Sequence, residues 1–163
     1  MDMTKEGGRI AREAASREPL PGEYLAWRVG GEEYGIDIRK VQEIRSYEAP
    51  TRIPSAPAYL KGVVNLRGVI VPVVDLRLKL GRDAEYTAST VVIVLTVQRR
   101  VAGIVVDSVS DVVDLAQDAI RPPPELSGTS GPRFITGVAN VGERMLLLAD
   151  MDALLADTLG ASA

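Results

Sequence analysis

Very few side chains in this sequence stand at spacings that could run a reaction. Asp150 and Asp152 are spaced like metal-binding carboxylates, but Asp75 holds the place matching Asp150 in an earlier stretch and reads there as a helix N-cap. Capping is therefore the reading adopted for that motif. Glu32 and Glu33 carry the two carboxylates of a glycosidase pair, yet neighbours in a β-hairpin point to opposite faces, so a solvated turn is expected. Arg99-Arg100 is a short basic turn with no aromatic residue beside it, and hence no platform for stacked bases. Neither of the common glycine-rich phosphate cradles occurs. The chain has no histidine and no cysteine. Their absence removes Ser-His-Asp triads, histidine metal sites, phosphohistidine, thiol catalysis, thiolate metal sites and disulfides. No catalytic residue, cofactor or metal site is expected.

One pair of charged residues calls for an explanation of another kind. Arg67 falls at the tip of an expected hairpin and Glu43 on an expected short helix, where the two could pair and orient each other. The pair reads either as an exposed salt bridge of little energetic weight or as an interface anchor, because a guanidinium stays charged and binds bidentately.

The elements that must position this pair come from a duplication. Tyr59–Leu80 reads as a β-hairpin with arms Val63–Leu66 and Val69–Val74, reversed at Gly68 and followed by a helix capped by Asp75 and ending at Gly81. Pro72 cannot donate to a ladder, so the second arm is expected at a sheet edge or with a bulge there. Shifted by 75 positions, this stretch falls without a gap on Phe134–Leu155: Gly62 on Gly137, Val63 on Val138, Asn65 on Asn140 and Asp75 on Asp150. The preceding segments repeat at a shift of 68, with Gly35-Ile36 on Gly103-Ile104 and Ile38, Val41 and Ile44 on Val106, Val109 and Val112. The two copies differ where Arg67 meets Gly142 and where Glu43 meets Asp111.

The rest of the chain follows this plan. Tyr24–Val29 and Glu33–Ile36 are expected to form a hairpin about Gly30-Gly31. Asp37 is expected to cap a helix whose Ile38, Val41 and Ile44 face the core, and Asp107–Leu115 to repeat that helix. Tyr47–Pro57 carries three prolines and reads as a loop. Thr90–Val97 is the run of a strand buried on both faces, and Val101–Val106 is its return. Ile120–Pro124 is a proline-rich crossover, and Leu126–Arg133 a polar loop. Met151, Leu154, Leu155 and Leu159 share one face of a last helix stopped by Gly160. The fold class is mainly β: two tandem five-stranded β-barrel subdomains with short helices and a C-terminal helix. Residues 1–22 are expected as a flexible tail, 23–86 as the first barrel, 87–155 as the second and 156–163 as a C-terminal tail.

Composition narrows the function classes. The 163 residues are 46% apolar and 25% charged, as in an ordinary soluble globular protein. A net charge of −3 and a single Phe give no footprint for nucleic acid. No apolar run reaches membrane-helix length, and the start has no signal-peptide core, so direct membrane insertion is not expected.

The motifs EEYGIDIRKVQEIR (Glu32–Arg45), KGVVNLRGVIVPVVDLR (Lys61–Arg77), TVVIVL (Thr90–Leu95) and GIVVDSVSDV (Gly103–Val112) are long and collinear. From about Glu23 to Leu155 the chain resembles the CheW-like family of bacterial chemotaxis coupling proteins. The resemblance implies two five-stranded barrels. It also implies a non-enzymatic adaptor in the cytoplasm, attached through its partners to membrane-bound receptor arrays. Those partners would be the cytoplasmic tips of chemoreceptors (methyl-accepting chemotaxis proteins) and the regulatory domain of the histidine kinase CheA. The family's receptor surface, a groove between the barrels, maps onto Val41, Glu43, Ile44, Gly62, Asn65, Arg67 and Gly68. Val91, Val92, Val109 and Val112 match apolar positions of the second barrel, where core and contact roles both stand open. A second kinase contact, closing rings in the array, maps onto Arg121 and Leu126, the latter replacing a common aromatic residue. Two other classes stay open beside the adaptor. One is a CheW-like module that acts directly on a kinase without receptor coupling, and the other is an unrelated small-barrel binder.

Overall fold

The structure, a computed structural model, describes residues 19–123 and 134–159. Strands β1 (Gly22–Val29) and β2 (Glu32–Asp37) form a hairpin, and a 3-10 turn (Ile38–Lys40) leads into β3 (Val41–Ser46). Strands β4 (Leu60–Leu66) and β5 (Val69–Asp75) form the next hairpin, ended by helix α1 (Leu76–Lys79). The second half holds β6 (Val91–Val97), β7 (Arg100–Val106), β8 (Ser108–Leu115), β9 (Ile120–Arg121), β10 (Ile135–Val141), β11 (Arg144–Ala149) and helix α2 (Met151–Leu159).

Among the described residues the strands make one six-stranded sheet, β8-β1-β2-β11-β10-β9, and one five-stranded sheet, β3-β6-β7-β5-β4. Under the two sequence shifts, β1 to β5 become β6, β7, β8, β10 and β11, so the two strand orders are one order written twice. The repeat extends to single hydrogen bonds. The Asp75 amide donates to the Tyr59 carbonyl at 2.7 Å, and the Asp150 amide to the Phe134 carbonyl at 2.7 Å. The lone bridge of Thr51 to Val63 is the counterpart of β9, where Arg121 pairs with Val138.

The sheets do not divide where the copies divide. Each joins the first hairpin of one copy to the last hairpin of the other through a short parallel ladder, β2 with β11 and β5 with β7. A boundary at residues 86/87 therefore cuts through both sheets, which corrects the expectation of one barrel per half. The expected five strands hold for one sheet, and β9 adds a sixth to the other. The physical reason lies in size, since a unit of sixty to seventy residues buries so little apolar surface that it is only marginally stable alone. Exchanging hairpins lets both copies share one core. That core lies between the sheets and includes Leu25, Trp27, Val29, Ile36, Val74, Ile93, Leu95, Ile104, Met151 and Leu155. Alternate residues of the same strands turn the other way. Tyr24 and Ala26 pack with Leu146 and Leu148 inside one curled sheet, and Val92 and Val94 with Val73 and Val105 inside the other.

The helices expected at Asp37–Ile44 and Asp107–Leu115 are strands, apart from the 3-10 turn capped by the Asp37 carboxylate. The reason is a β-bulge in each. Gln42 is an extra residue between the pairs Val41–Leu95 and Glu43–Val94, and Ser110 is extra between Val109–Trp27 and Asp111–Ala26. An extra residue brings positions three apart onto one face of a strand, so the apolar spacing imitates a helix. Pro72 is also corrected, because β5 lies inside its sheet and carries no bulge there. The parallel ladder starts one residue later, at Val73, so no donor is missed. Order begins earlier than expected: the Tyr24 hydroxyl donates to the Leu20 carbonyl at 2.6 Å, and β1 starts at Gly22. At the other end α2 runs through Leu159, so residues 156–159 are helix rather than tail. Gly160, the Leu159 side chain and the Leu126–Arg133 loop lie outside the described residues.

One buried charge cluster ties these parts together. The Arg77 side chain is 1% exposed and bonds Asp75 (2.8 and 3.0 Å), Asp107 (2.9 Å) and the Glu85 carbonyl (2.9 Å). Asp107 accepts from the Gly30 amide, and the Tyr86 hydroxyl donates to Asp75. Removing one partner from a buried ion cluster leaves uncompensated charge. Arg77→Ala is expected to lower unfolding free energy by about 3–5 kcal/mol, measured by urea denaturation. Gly62→Ala is expected to cost at least about 2 kcal/mol, because its φ of 145° is strained for other residues and a Cβ would strike the Thr51 backbone. At Gly68, φ is 87° with open space around it, so Gly68→Ala should cost only about 1 kcal/mol.

Candidate protein-binding site

The β4–β5 hairpin turns on two residues in the left-handed region, Arg67 (φ 53°) and Gly68 (φ 87°). A two-residue loop of this hand follows the natural twist of the strands. The Asn65 carboxamide oxygen locks it by accepting from the Gly68 amide at 2.8 Å. Gly142 (φ 61°) holds the corresponding place in the β10–β11 hairpin. Arginine thus stands where its own duplicate uses glycine, in a conformation that costs about 1–2 kcal/mol for a residue bearing a Cβ.

That strained turn aims the side chain across the sheet. The Arg67 guanidinium bonds Glu43 at 2.6 Å, and Arg45 bonds the other carboxylate oxygen at 3.0 Å. Strands β3 and β4 are the two edges of the five-stranded sheet, so this pair spans the mouth of a rolled sheet. Two arginine hydrogen bonds hold the Glu43 carboxyl below the usual carboxylate range. The Arg67 side chain remains 73% exposed and presents its free face to solvent. Val69 and Ile70 follow it, both exposed.

Facing positions across β3 and β6 place the other expected residues. Val41 and Ile44 pair with Leu95 and Ile93, whose side chains point to the inter-sheet core. Val41 is half-buried against that core, whereas Ile44 is exposed at its rim. On the opposite sheet Val109 and Val112 pair with Trp27 and Leu25 and share the same inter-sheet face. Val109 is half-buried there and Val112 is exposed. Val91 also packs on this core, while Val92 is buried inside the five-stranded sheet, where its role is core. The rim between the sheets therefore carries Ile44 from one side and Val112 from the other. Gly62 is buried under Thr51 and Arg52, so it shapes the hairpin and offers no surface. Arg121 is exposed on β9, far along the other sheet, and Leu126 lies outside the described residues.

A second charged cluster escaped the sequence reading. Arg144 bonds Asp111 (2.7 and 3.0 Å) and Glu33 (2.7 and 3.0 Å), spanning the six-stranded sheet as Arg67 spans the other. The signal was present: Asp111 is the counterpart of Glu43, and an arginine stands two places beyond the Gly142 tip. Glu33 is 7% exposed, and the Arg144 hydrogen bond holds its carboxyl below the usual range despite burial. A carboxyl with a lowered folded-state pKa contributes stability above its unfolded pKa, and that contribution fades as pH falls through the folded value. Arg144→Ala is therefore expected to cost on the order of 1–3 kcal/mol at neutral pH, by leaving a nearly buried carboxylate with only the more distant Arg28, at 3.8 Å, to pair with. The same variant should lose less stability than the wild type between about pH 5 and pH 3, read by urea denaturation across that range.

No described group of His, Cys, Asp and Glu residues could hold a metal ion, and no described helix is long and apolar enough to cross a membrane. The paired charges at the mouth of one sheet and the exposed aliphatic side chains at the rim between the sheets are both equipped for contact with another protein. Residues 23–159 match the family model of the CheW-like domain. The chain is 52% identical over 139 residues to chemotaxis protein CheW of Klebsiella aerogenes, an alignment covering 85% of this chain and 84% of that one. It is 39% identical over 137 residues to the probable chemotaxis protein CheW of Rhizobium etli, covering 83% and 88%. The crystal structure of the scaffolding protein TtCheW from Thermoanaerobacter tengcongensis aligns with a TM-score of 0.76 at 28% identity, covering 83% of this chain and 93% of that one.

Proposed function

The chain belongs to the CheW-like domain family, and on that premise we propose that it is a non-enzymatic chemotaxis adaptor, coupling transmembrane chemoreceptors to the histidine kinase CheA in signalling arrays. The observation that carries the reading is Arg67, held in a strained turn by Asn65, aimed by Glu43 and still open to solvent. Strain kept at a surface position favours a binding role over a stabilising one, since glycine would relieve it. The cytoplasmic tip of a receptor docks along the rim formed by Ile44, Glu43, Arg67 and Val112, with Val41 and Asn65 supporting it from below. Gly62 and Gly68 set the hairpin's path. The regulatory domain of the kinase engages a different face, and Arg121 supplies the ring contact. The protein works in the cytoplasm, held at the membrane by its partners.

Coupling of this kind needs no chemistry. It needs contacts that differ between signalling states of the two partners, so that binding one biases the other. Two sheets around one core give a rigid body with separate faces, which is what such coupling requires.

Arg67→Ala is expected to weaken binding of a receptor cytoplasmic fragment by about 30-fold or more, as for a central interface arginine. Its unfolding midpoint should not move. Glu43→Ala should weaken the same partner less, and the double variant should match Arg67→Ala rather than the product of the two effects. Calorimetric titration of both partners against these variants tests this. Equal weakening toward the kinase regulatory domain would move the receptor surface elsewhere. Separately, Arg121→Glu should leave folding and receptor binding intact and reduce higher-order assembly with the kinase, followed by sedimentation. Normal assembly would remove Arg121 from the contact.

A further inference from the structure

Arg67 is not the one arginine held in a strained turn. The β6–β7 hairpin reverses on Gln98 (φ 50°) and Arg99 (φ 66°), both in the left-handed region. The corresponding β1–β2 turn uses Gly30-Gly31, with Gly30 at 63°. This backbone is disfavoured for residues bearing a Cβ, and glycine would relieve it. At two tips, then, the chain keeps an arginine where its duplicate has glycine: Arg67 against Gly142, and Arg99 against Gly31. Topology sets these two tips side by side. Strands β5 and β7 run parallel, paired from Val73–Gly103 to Asp75–Val105, so the turns that precede them stand at one end of the five-stranded sheet. Four residues back from the pair Val74–Ile104 are Ile70 and Arg100, and by alternation both take the inter-sheet face at that end.

The charge of that end has one sign. Arg99 and Arg100 are exposed, and neither has an ion-pair partner among the described residues. Arg67 meets Glu43, a carboxylate that Arg45 already shares. Asp150 and Asp152, the counterparts of Asp75 and Arg77, line a cavity that Gln98 borders, and Arg39 and Lys40 stand beside them there. The excess of cations therefore lies on the other side of the tip, next to β5, in a chain whose net charge is −3. Ile70, 61% exposed, is the apolar residue among them. We infer that the β6–β7 tip continues the receptor surface, and that the receptor segment crossing it is acidic, its carboxylates meeting Arg67, Arg99 and Arg100 around Ile70. The inference rests on the receptor reading above. Neither tip carries an aromatic residue on which a base could stack, so the complementary anion is a carboxylate-bearing protein segment rather than a nucleic acid.

Calorimetric titration of a receptor cytoplasmic fragment into the full chain tests it, with the kinase regulatory domain as control. Arg99→Gly should weaken the fragment by at least about fivefold and raise the unfolding midpoint, because it removes the strain together with the charge. Arg100→Gln should weaken it by a similar factor with the midpoint unmoved, and Arg99→Lys should keep most of the affinity. Added salt should weaken the wild type more than Arg99→Gly. Full fragment binding by Arg99→Gly and Arg100→Gln, where Arg67→Ala has lost it, would overturn the inference and leave the receptor reading standing. Arg67→Ala without effect would take down both. A lowered midpoint in Arg99→Gly would overturn the inference by making the arginine structural, and equal weakening toward the kinase domain would overturn it by detaching the tip from the receptor.

Discussion

The parallel pairing of β2 with β11 and of β5 with β7 is the constraint on which the rest of this structure depends. Each ladder joins residues far apart in the chain, and each joins one copy to the other. Without them the duplicate would be two hairpin pairs of sixty to seventy residues, each with one apolar face and only marginal stability of its own. With them, Trp27 and Tyr34 from one copy and Ile93, Leu95 and Ile104 from the other line a single core. The stacked rings of Trp27, Tyr34 and Phe134 cross the same junction. Neither half can loosen without exposing the other, so the two sheets act as one body with fixed relative placement. An adaptor needs that fixity, because signals pass between its faces only if the faces cannot move separately.

The arginines divide between two tasks that their surroundings set. Arg77 is buried with two carboxylates and joins α1, the β1–β2 turn and the connection between the copies. Low local dielectric makes its loss costly. Arg67 instead spans the mouth of its rolled sheet in water, where a pair adds little stability and mainly fixes orientation. Arg144 reaches inward to nearly buried Glu33, whereas Arg67 meets only surface residues. The same bridge is thus structural in one copy and left available for contact in the other.

Much of the architecture could be read from the chain because the duplication multiplies weak signals. The Tyr59–Leu80 hairpin, its turn and its cap were legible in turn chemistry and alternation alone, and so was the pairing of Arg67 with Glu43. What the spacing could not reveal was the bulge. A strand with an extra residue at Gln42 or Ser110 presents its apolar residues three apart, as one turn of helix does, and only the partner strand tells them apart. Nor could the exchange of hairpins be read, since local pattern is the same whether a hairpin packs on its own copy or on its duplicate. Arg144 was missed because it stands two residues from the tip rather than on it.

Divergence between the copies explains why a symmetric scaffold offers asymmetric surfaces. At the hairpin tips, glycine in one copy faces arginine in the other. At the ends of the molecule, Asp152 faces Arg77. Both changes alter the charge of one site while keeping the backbone of two, as the matched 2.7 Å bonds at Asp75 and Asp150 attest. A substitution that disturbed either backbone would act on the core shared by both sheets, so only side-chain changes at the rims and ends are free to specialise. The exposed aliphatic residues obey the same rule: Ile44 and Val112 are counterparts, as are Ile70 and Met145, and all four stand outside the core. The shared core thus confines change to the surface, and that is where the two copies have come to differ.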